Sequence, residues 1–461
     1  MVLAAAPAAG QDADLPVGDQ PEHTTLVYPP FAHTLGIHRA RPNHLKLFLG
    51  DRTRFDDPQG LAAVKFASDD DPDRRGDDYQ LTLFGVNSGR GEILYNSSMR
   101  TLAVFGRRGG GAGAFDRPHG IAATVDGRVY VADTGNRRIA RLRWDPSARA
   151  LAWDGSWAMG APFDVDTDTR GFVWATDREA GAVVGFADPA AGAGSGLLPP
   201  PIVPGGRWPL PDDVEAPLGL AVADSLDPWL QPNHNRLYLV DRDGRRLRAF
   251  DAEGRVVAAV EPRDLAPDRP TARFFYVAID YFGHVWASDP AGGVLYKLDR
   301  RLRPLDVFAG PGAPESALEE PRGIAIWKRF GQVFVAEREG AQYFFVGADV
   351  RSLEEPVVVR RRVAPAGWTL DRLFFTEPAT VRIAFVDAAG DTLAVADAGL
   401  VGGGRQTVGW GVAAWETPPG EGWAERSETV VVEARPTYSS RRRFARVRAF
   451  SFAWEQPLTG P

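Results

Sequence analysis

Short apolar runs alternate with turn-forming residues through most of the chain. In "FDRPHGIAATVDGRVYVADTGNRRIARLRW", residues 115–144, the runs "GIAATV" and "RVYVAD" are rich in β-branched and aromatic side chains. They flank Asp126-Gly127, a strong hairpin signal. The following "NRRIARLRW" sets Ile139, Arg141 and Arg143 against Ala140, Leu142 and Trp144, the period of two expected of a strand with one wetter face. Three antiparallel strands cannot bury a face alone, so the pattern predicts neighbours of the same kind.

Those neighbours occur in the same chain. The plan returns as "DDPQGLAAV" with "LTLFGVNSGRGEILY", as "APFDVDTDTRGFVWATDREAGAVVGF", and as "APLGLAVADS" with "NRLYLVDRDGRRLRAF". It appears twice more, as "FFYVAIDYFGHVWASDPAGGVLYKL" and "EPRGIAIWKRFGQVFVAEREGAQYFFV". With Gly60, Gly120, Asp164, Gly219, Val277 and Gly323 as equivalent positions, the six copies lie about 44 to 60 residues apart. One four-stranded propeller blade plus loop insertions needs about that length. The sequence Pro-x-Gly-Ile-Ala, then Val-Tyr-Val-Ala-Asp, then Asn-Arg-Arg-Ile, preceded by "FGRRGGGAGAF", resembles the NHL repeat of β-propeller proteins. The fifth copy lacks Pro-x-Gly, and the first carries Asn87 where Asp is expected. The resemblance implies a fold and leaves function open.

The sixth copy stops after its third run, whereas "HLKLFLGDRTRFDDPQG", residues 44–60, reads as a strand and an inter-blade loop. An N-terminal strand over 44–49 is therefore expected to complete the last blade and leave no open edge. After residue 350 the repeat ends. "SLEEPVVVRRRVAPAG" reads as a charged connector, and a new strand series begins near Trp368. Its spacing suits a β-sandwich of about 100 residues. Val381 to Asp387, Gly390, and Gly404 leading to Val408 and Trp410 resemble the immunoglobulin-like domain of flagellar hook-cap proteins, which implies adhesion or assembly. The expected chain is all-β: an N-terminal extension (1–43), a six-bladed NHL-like propeller (44–350), a linker (351–366) and an immunoglobulin-like β-sandwich (367–461).

Composition narrows the function classes. A net charge of −7 and a pI near 5.6 argue against nucleic acid as partner, since phosphate contacts need a basic face. Of 53 basic residues only Lys46, Lys65, Lys297 and Lys328 are lysines, a bias that a GC-rich genome produces. With no cysteine there are neither disulfides nor thiolate metal sites. No run approaches the roughly 20 apolar residues of a membrane span. The opening "MVLAAAPAAGQDADLP" has the small residues found near signal cleavage sites without a basic leader. The expectation is a bacterial protein of the periplasm or exterior, peripheral to a membrane at most.

The candidate chemistry is sparse. Seven histidines are present, and only His119 falls in a Pro-x-Gly turn aimed at the central channel. Its equivalents are Gln59, Phe163, Leu218, Tyr276 and Arg322, too mixed a ring for a His-rich metal centre, so His119 reads first as a hydrogen-bonded turn residue. Asp133, Asp177, Asp241, Asp289 and Glu337 end the second run of their copies. Recurrence at one place in each repeat predicts a structural role, accepting N–H bonds in the following turn. "DVDTDTRG", Asp164 to Gly171, lacks the terminal Glu of a calcium loop, and "FASDDDPDRRGDDYQ", the acidic insertion spanning 68–78, reads as a solvated loop rather than a calcium site. No nucleophile elbow or phosphate loop is present.

Partner recognition is expected from two places. The loop over 188–213 carries Ile202, Trp208 and Leu210, and the last domain carries a basic stripe that includes Arg442, Arg446 and Arg448 beside Phe444 and Phe450. The reading is a non-enzymatic scaffold that binds other proteins of an envelope or membrane assembly, for instance as an extrinsic subunit of a photosynthetic or respiratory complex. It calls for no cofactor. The alternative is a metal-dependent hydrolase or lyase using the ring at the channel mouth.

Overall fold

Five sheets of four strands and one of five follow the repeat, each turning outward from a short inner strand. A computed structural model describes residues 25–28, 38–69, 80–97, 101–187, 206–208, 210–231, 234–310, 317–362, 365–438 and 444–455. The chain separates into a unit of residues 25–346, joined by 438–440, and a unit built mainly of 347–437 and 441–461.

The first unit is a six-bladed β-propeller. Its inner strands are Pro58–Val64, Pro118–Ala123, Pro162–Thr167, Leu220–Ala223, Val277–Ile279 and Ile324–Trp327. Blade two shows the sequence logic plainly: Arg128–Asp133 pairs Val131 with Ile121 and with Ala140, and Arg138–Asp145 pairs in turn with Ala150–Ala158. All six residues of Arg128–Asp133 are buried, because a blade's middle strands are covered by the neighbouring blades on both faces. Apolar clusters fill the gaps between successive blades. Phe84, Val131 and Trp144 lie between blades one and two, Tyr130 and Phe186 between two and three, and Trp174 and Leu239 between three and four. Tyr238 and Tyr296 fill the next gap, and Trp286 and Phe344 the one after it.

The Pro-x-Gly signature has a steric cause. A Cβ on Gly60 would stand 2.7 Å from the carbonyl oxygen of His119, and one on Gly219 would stand 2.5 Å from that of Phe275. Only glycine lets inner strands of adjacent blades approach so closely. A Cβ on Gly323 would stand 2.3 Å from the carbonyl oxygen of Gln59, so blade six meets blade one and the ring is closed.

Closure uses a different segment from the one expected. Residues Pro42–Leu49 form a helix, with Pro at its first turn and Leu45 and Leu49 buried. Pro42 is pre-organised for a helix start, and burial of Leu45 and Leu49 with Leu47 between them exposed follows a helical period rather than a strand's. The outer strand of blade six comes instead from Leu26–Val27 and Arg39–Ala40, both pairing antiparallel with Gly340–Val346. These lie in the stretch read as an extension.

The second unit is all-β and consistent with a β-sandwich. Ala379–Val386 and Thr429–Pro436 alternate buried and half-exposed residues along their whole length and pair with each other. Val357–Arg362 pairs antiparallel with Gly367–Phe375 and parallel with Arg446–Glu455. The core holds Val359, Leu370, Ile383, Phe385, Val432 and Phe450 among others. Residues 351–366 are thus not a linker: Val357, Val358 and Val359 are buried strand residues.

Candidate functional site

The inner strands surround a central channel with a cavity of about 160 Å³, lined by residues such as Gly60, Ile121, Asp164, Asp166, Leu220, Tyr276, Ile324 and Lys328. Asp164 and Asp166 alternate on the inner strand of blade three, so the strand period aims both the same way. Each reaches toward blade four. Asp164 accepts the N–H of Leu220 at 3.0 Å and of Val165 at 2.9 Å, and Asp166 accepts those of Val222 and Thr167, both at 2.8 Å. Blade three lacks the glycine of the motif, and its carboxyls satisfy the amides on the neighbouring strand. Burial pushes the Asp164 carboxyl up to about 8, against the pull of those N–H groups. Burial also raises Asp166, which the Lys328 ammonium partly offsets. Lys328 itself donates to Asp227 at 2.6 Å.

The six ring positions do converge at the end where the inner strands begin. His119 and Phe163 have ring centroids 4.7 Å apart, and Phe163 and Tyr276 have theirs 5.4 Å apart. The Tyr276 hydroxyl donates to Gln59 Oε1 at 3.2 Å. Leu218 joins Phe163 and Tyr276 in one apolar cluster. Arg322 pairs with Asp57 and donates to the Pro58 carbonyl at 3.0 Å, and the guanidinium of Arg178 lies 5.6 Å from the Phe163 ring centre. His119 Nδ1 is 2.8 Å from Thr134 Oγ1. Burial pulls its imidazole down to about 4, against the raising influence of Asp57, so the ring is neutral at neutral pH. A Cβ on Gly120 would fall 2.2 Å from Asp164 Oδ1, which puts the Asp164 carboxyl against the backbone beside His119. Sequence reasoning took Asp164 as the third copy's counterpart of the motif glycine and as part of a failed calcium loop, and not as a site residue. The signal that finds it is the missing glycine in the third copy.

Among the described residues of this mouth, no three His, Asp or Glu side chains bring ligand atoms together, so the metal centre of the alternative reading does not fit here. The carboxylates that end the second strands are structural. Asp133 accepts the N–H of Asp116, Asp177 that of Ala161, and Glu337 that of Glu319, at 2.7 to 3.0 Å. Asn87 accepts that of Asp56. In these four blades a bond runs back to the loop entering the blade, a longer reach than the following turn, and Asp177 also accepts the turn N–H groups of Glu179 and Ala180, both at 3.1 Å, as expected. Asp241 instead takes the guanidiniums of Arg246 and Arg248, and Asp289 the turn N–H of Gly292.

The residues read as docking positions are placed otherwise. Trp208 is 2% exposed and packs edge-on against Trp174 and Phe250, with Leu210 beside the same cluster. That part of the loop folds back because an indole gains more from the gap between blades three and four than from water. Arg446 is fully buried and donates from Nε to Asp349 at 3.2 Å, while the half-exposed Arg448 lies 3.7 Å from the same carboxylate. Burial lowers the Arg446 pKa; a paired, buried arginine is spent on its own unit. Ile202, Arg442 and the acidic insertion over 70–79 lie outside the described residues.

The NHL repeat family model matches residues 115–142, within blade two and the loop entering it. No curated protein matches the sequence. Among solved structures the chain is similar to virginiamycin B lyase from Staphylococcus aureus, at 11% identity and a TM-score of 0.39, over 57% of this chain and 77% of that one. It is similar to a gluconolactonase from Xanthomonas campestris, at 16% and 0.42, over 69% and 99%. It is also similar to an aldose sugar dehydrogenase from Streptomyces coelicolor, at 14% and 0.41, over 64% and 96%. At these identities and scores the likeness assigns no activity. These neighbours are enzymes by name, and the expectation of a non-enzymatic protein is not kept. Residues 25–346 form a six-bladed β-propeller with an NHL repeat in its second blade.

Proposed function

We propose that the propeller is a hydrolase or lyase that acts on a small polar molecule at the channel mouth by proton transfer. One observation carries this reading: the Asp164 carboxyl lies against the backbone of Gly120, the residue after His119, and burial displaces the two groups in opposite directions, to about 8 and about 4. Two neighbouring groups pushed apart in this way mark an acid and a base. At neutral pH Asp164 keeps its proton and serves as general acid to a leaving oxygen. His119, unprotonated, accepts a proton from water or from a substrate carbon. The guanidiniums of Arg322 and Arg178 stand at the same mouth, where they favour charge developing on substrate oxygen. We further propose that the second unit is an immunoglobulin-like domain serving adhesion in an exported protein; the alternation of its paired strands supports the sandwich on which that reading rests.

The test is a panel of small lactones and esters with the full chain. Turnover should follow a bell in kcat/KM, with limbs near 4 and 8 as His119 must be neutral and Asp164 protonated. Asp164→Asn and His119→Gln should each slow it by about 100-fold while folding is retained. Turnover unchanged in both variants defeats the assignment.

A further inference from the structure

Where blade six meets blade one, the helix Pro42–Leu49 and blade one form a small apolar cluster of Leu45, Leu49 and Leu94, with fewer buried residues than the clusters that fill the other five interfaces. Here a cavity of about 210 Å³ remains, under the helix Pro42–Leu49. Its walls include Leu61, Leu83, Leu94, Leu102, Phe334 and Tyr343. Phe48 also lines it and is 40% exposed, with Leu47 beside it 68% exposed, so apolar surface runs from the helix into the cavity. Among the described residues the lining contains no Asp, Glu, Lys or Arg, and its imidazoles are those of His38 and His44. Among its polar members is Asn96, whose Oδ1 is buried and accepts no hydrogen bond.

The cavity is partly open to solvent, so its apolar walls meet water until a ligand covers them, and the unmet buried acceptor costs stability. A cavity of about 150 Å³ holds benzene, so this one takes a ligand of about eight to ten non-hydrogen atoms. A carboxylate head would find neither Lys nor Arg there, and burial holds the His38 imidazole below its ordinary value, so a charged head is disfavoured. The orphaned carboxamide oxygen asks for one donor.

We propose that this cavity is a binding site for a neutral amphiphile, an alkyl chain of about eight carbons ending in a hydroxyl that donates to Asn96. The chain fills the gap between blades six and one, and the helix Pro42–Leu49 covers it.

The experiment titrates the full chain with 1-octanol and with octanoate by calorimetry near neutral pH, and follows the melting temperature in parallel. One-site binding of 1-octanol is expected, with a raised melting temperature and octanoate weaker by about tenfold or more. Leu102→Trp, which fills the cavity from a partly exposed position, should abolish binding; Leu83→Trp is the second filler if the first fails to fold. Asn96→Leu should weaken 1-octanol by about fivefold and leave octanoate unchanged. Absence of one-site binding, equal affinity for octanoate, or full binding in a folded filler variant overturns the proposal.

Discussion

Asp164 has two attachments that a substitution can separate. Its oxygens hold the N–H groups of Val165 and Leu220, and its proton is available at neutral pH because burial raises the carboxyl to about 8. In the unfolded chain the group ionises near its ordinary value, so the folded state binds the extra proton between about 4 and 8. Its contribution to stability is full at low pH and is lost as pH rises through 8. Asp164→Asn keeps an acceptor for Leu220 and removes that dependence, so melting temperatures taken at pH 5 and pH 8 should differ less in the variant than in the parent. An unchanged difference would show that the carboxyl is ionised in the fold. His119 runs the other way: with its folded value lowered to about 4, it favours the fold above about 6.5 and costs stability as pH falls toward 4. His119→Gln should therefore flatten the acid limb of the melting profile, and a parent-like loss would place the charge elsewhere.

At the level of strands, the repeat was legible because each blade needs the same solution to the same crowding. Glycines 60, 120, 219 and 323 sit where adjacent inner strands nearly touch, and four such glycines spread over six copies of the strand pattern point to a ring. Gly323→Ala should cost about 2 to 3 kcal/mol, since its Cβ would press on the backbone of Gln59; Gly111→Ala, with nothing within 4 Å, is the neutral control. Equal melting of the two would remove the steric account. The closing strand was not legible. Leu26–Val27 and Arg39–Ala40 are two-residue strands, too short for any periodicity, while Leu45, Leu47 and Leu49 alternate like a strand and lie in a helix. Trp208 shows the same limit, since its hydrophobicity is plain in the sequence and the gap it fills is made by residues far away, Trp174 and Phe250.

Across the whole molecule, two units of different construction share one chain. The C-terminal core of Val359, Leu370, Ile383, Phe385 and Val432 is drawn from its own strands, so residues 347–461 expressed alone should unfold cooperatively. A non-cooperative melt would show that this core needs more than its own segment. The site was half visible in the sequence. The ring of Gln59, His119, Phe163, Leu218, Tyr276 and Arg322 follows from the repeat by counting. What it can do depends on burial, which shifts His119 and Asp164 in opposite senses and which no spacing reveals. The outer strand of blade six carries one more consequence, and it concerns time. Leu26 pairs with Val346, so during synthesis it has no partner until about 320 further residues have been made. At about 5 to 20 residues per second that is a wait of roughly 15 to 60 seconds. Blades one to five emerge in order and have their strands at hand, whereas the ring shuts only when the last blade arrives. Until then both its edges are open to wrong pairing, and a ribosome that stalls inside blade six holds the chain at its most aggregation-prone.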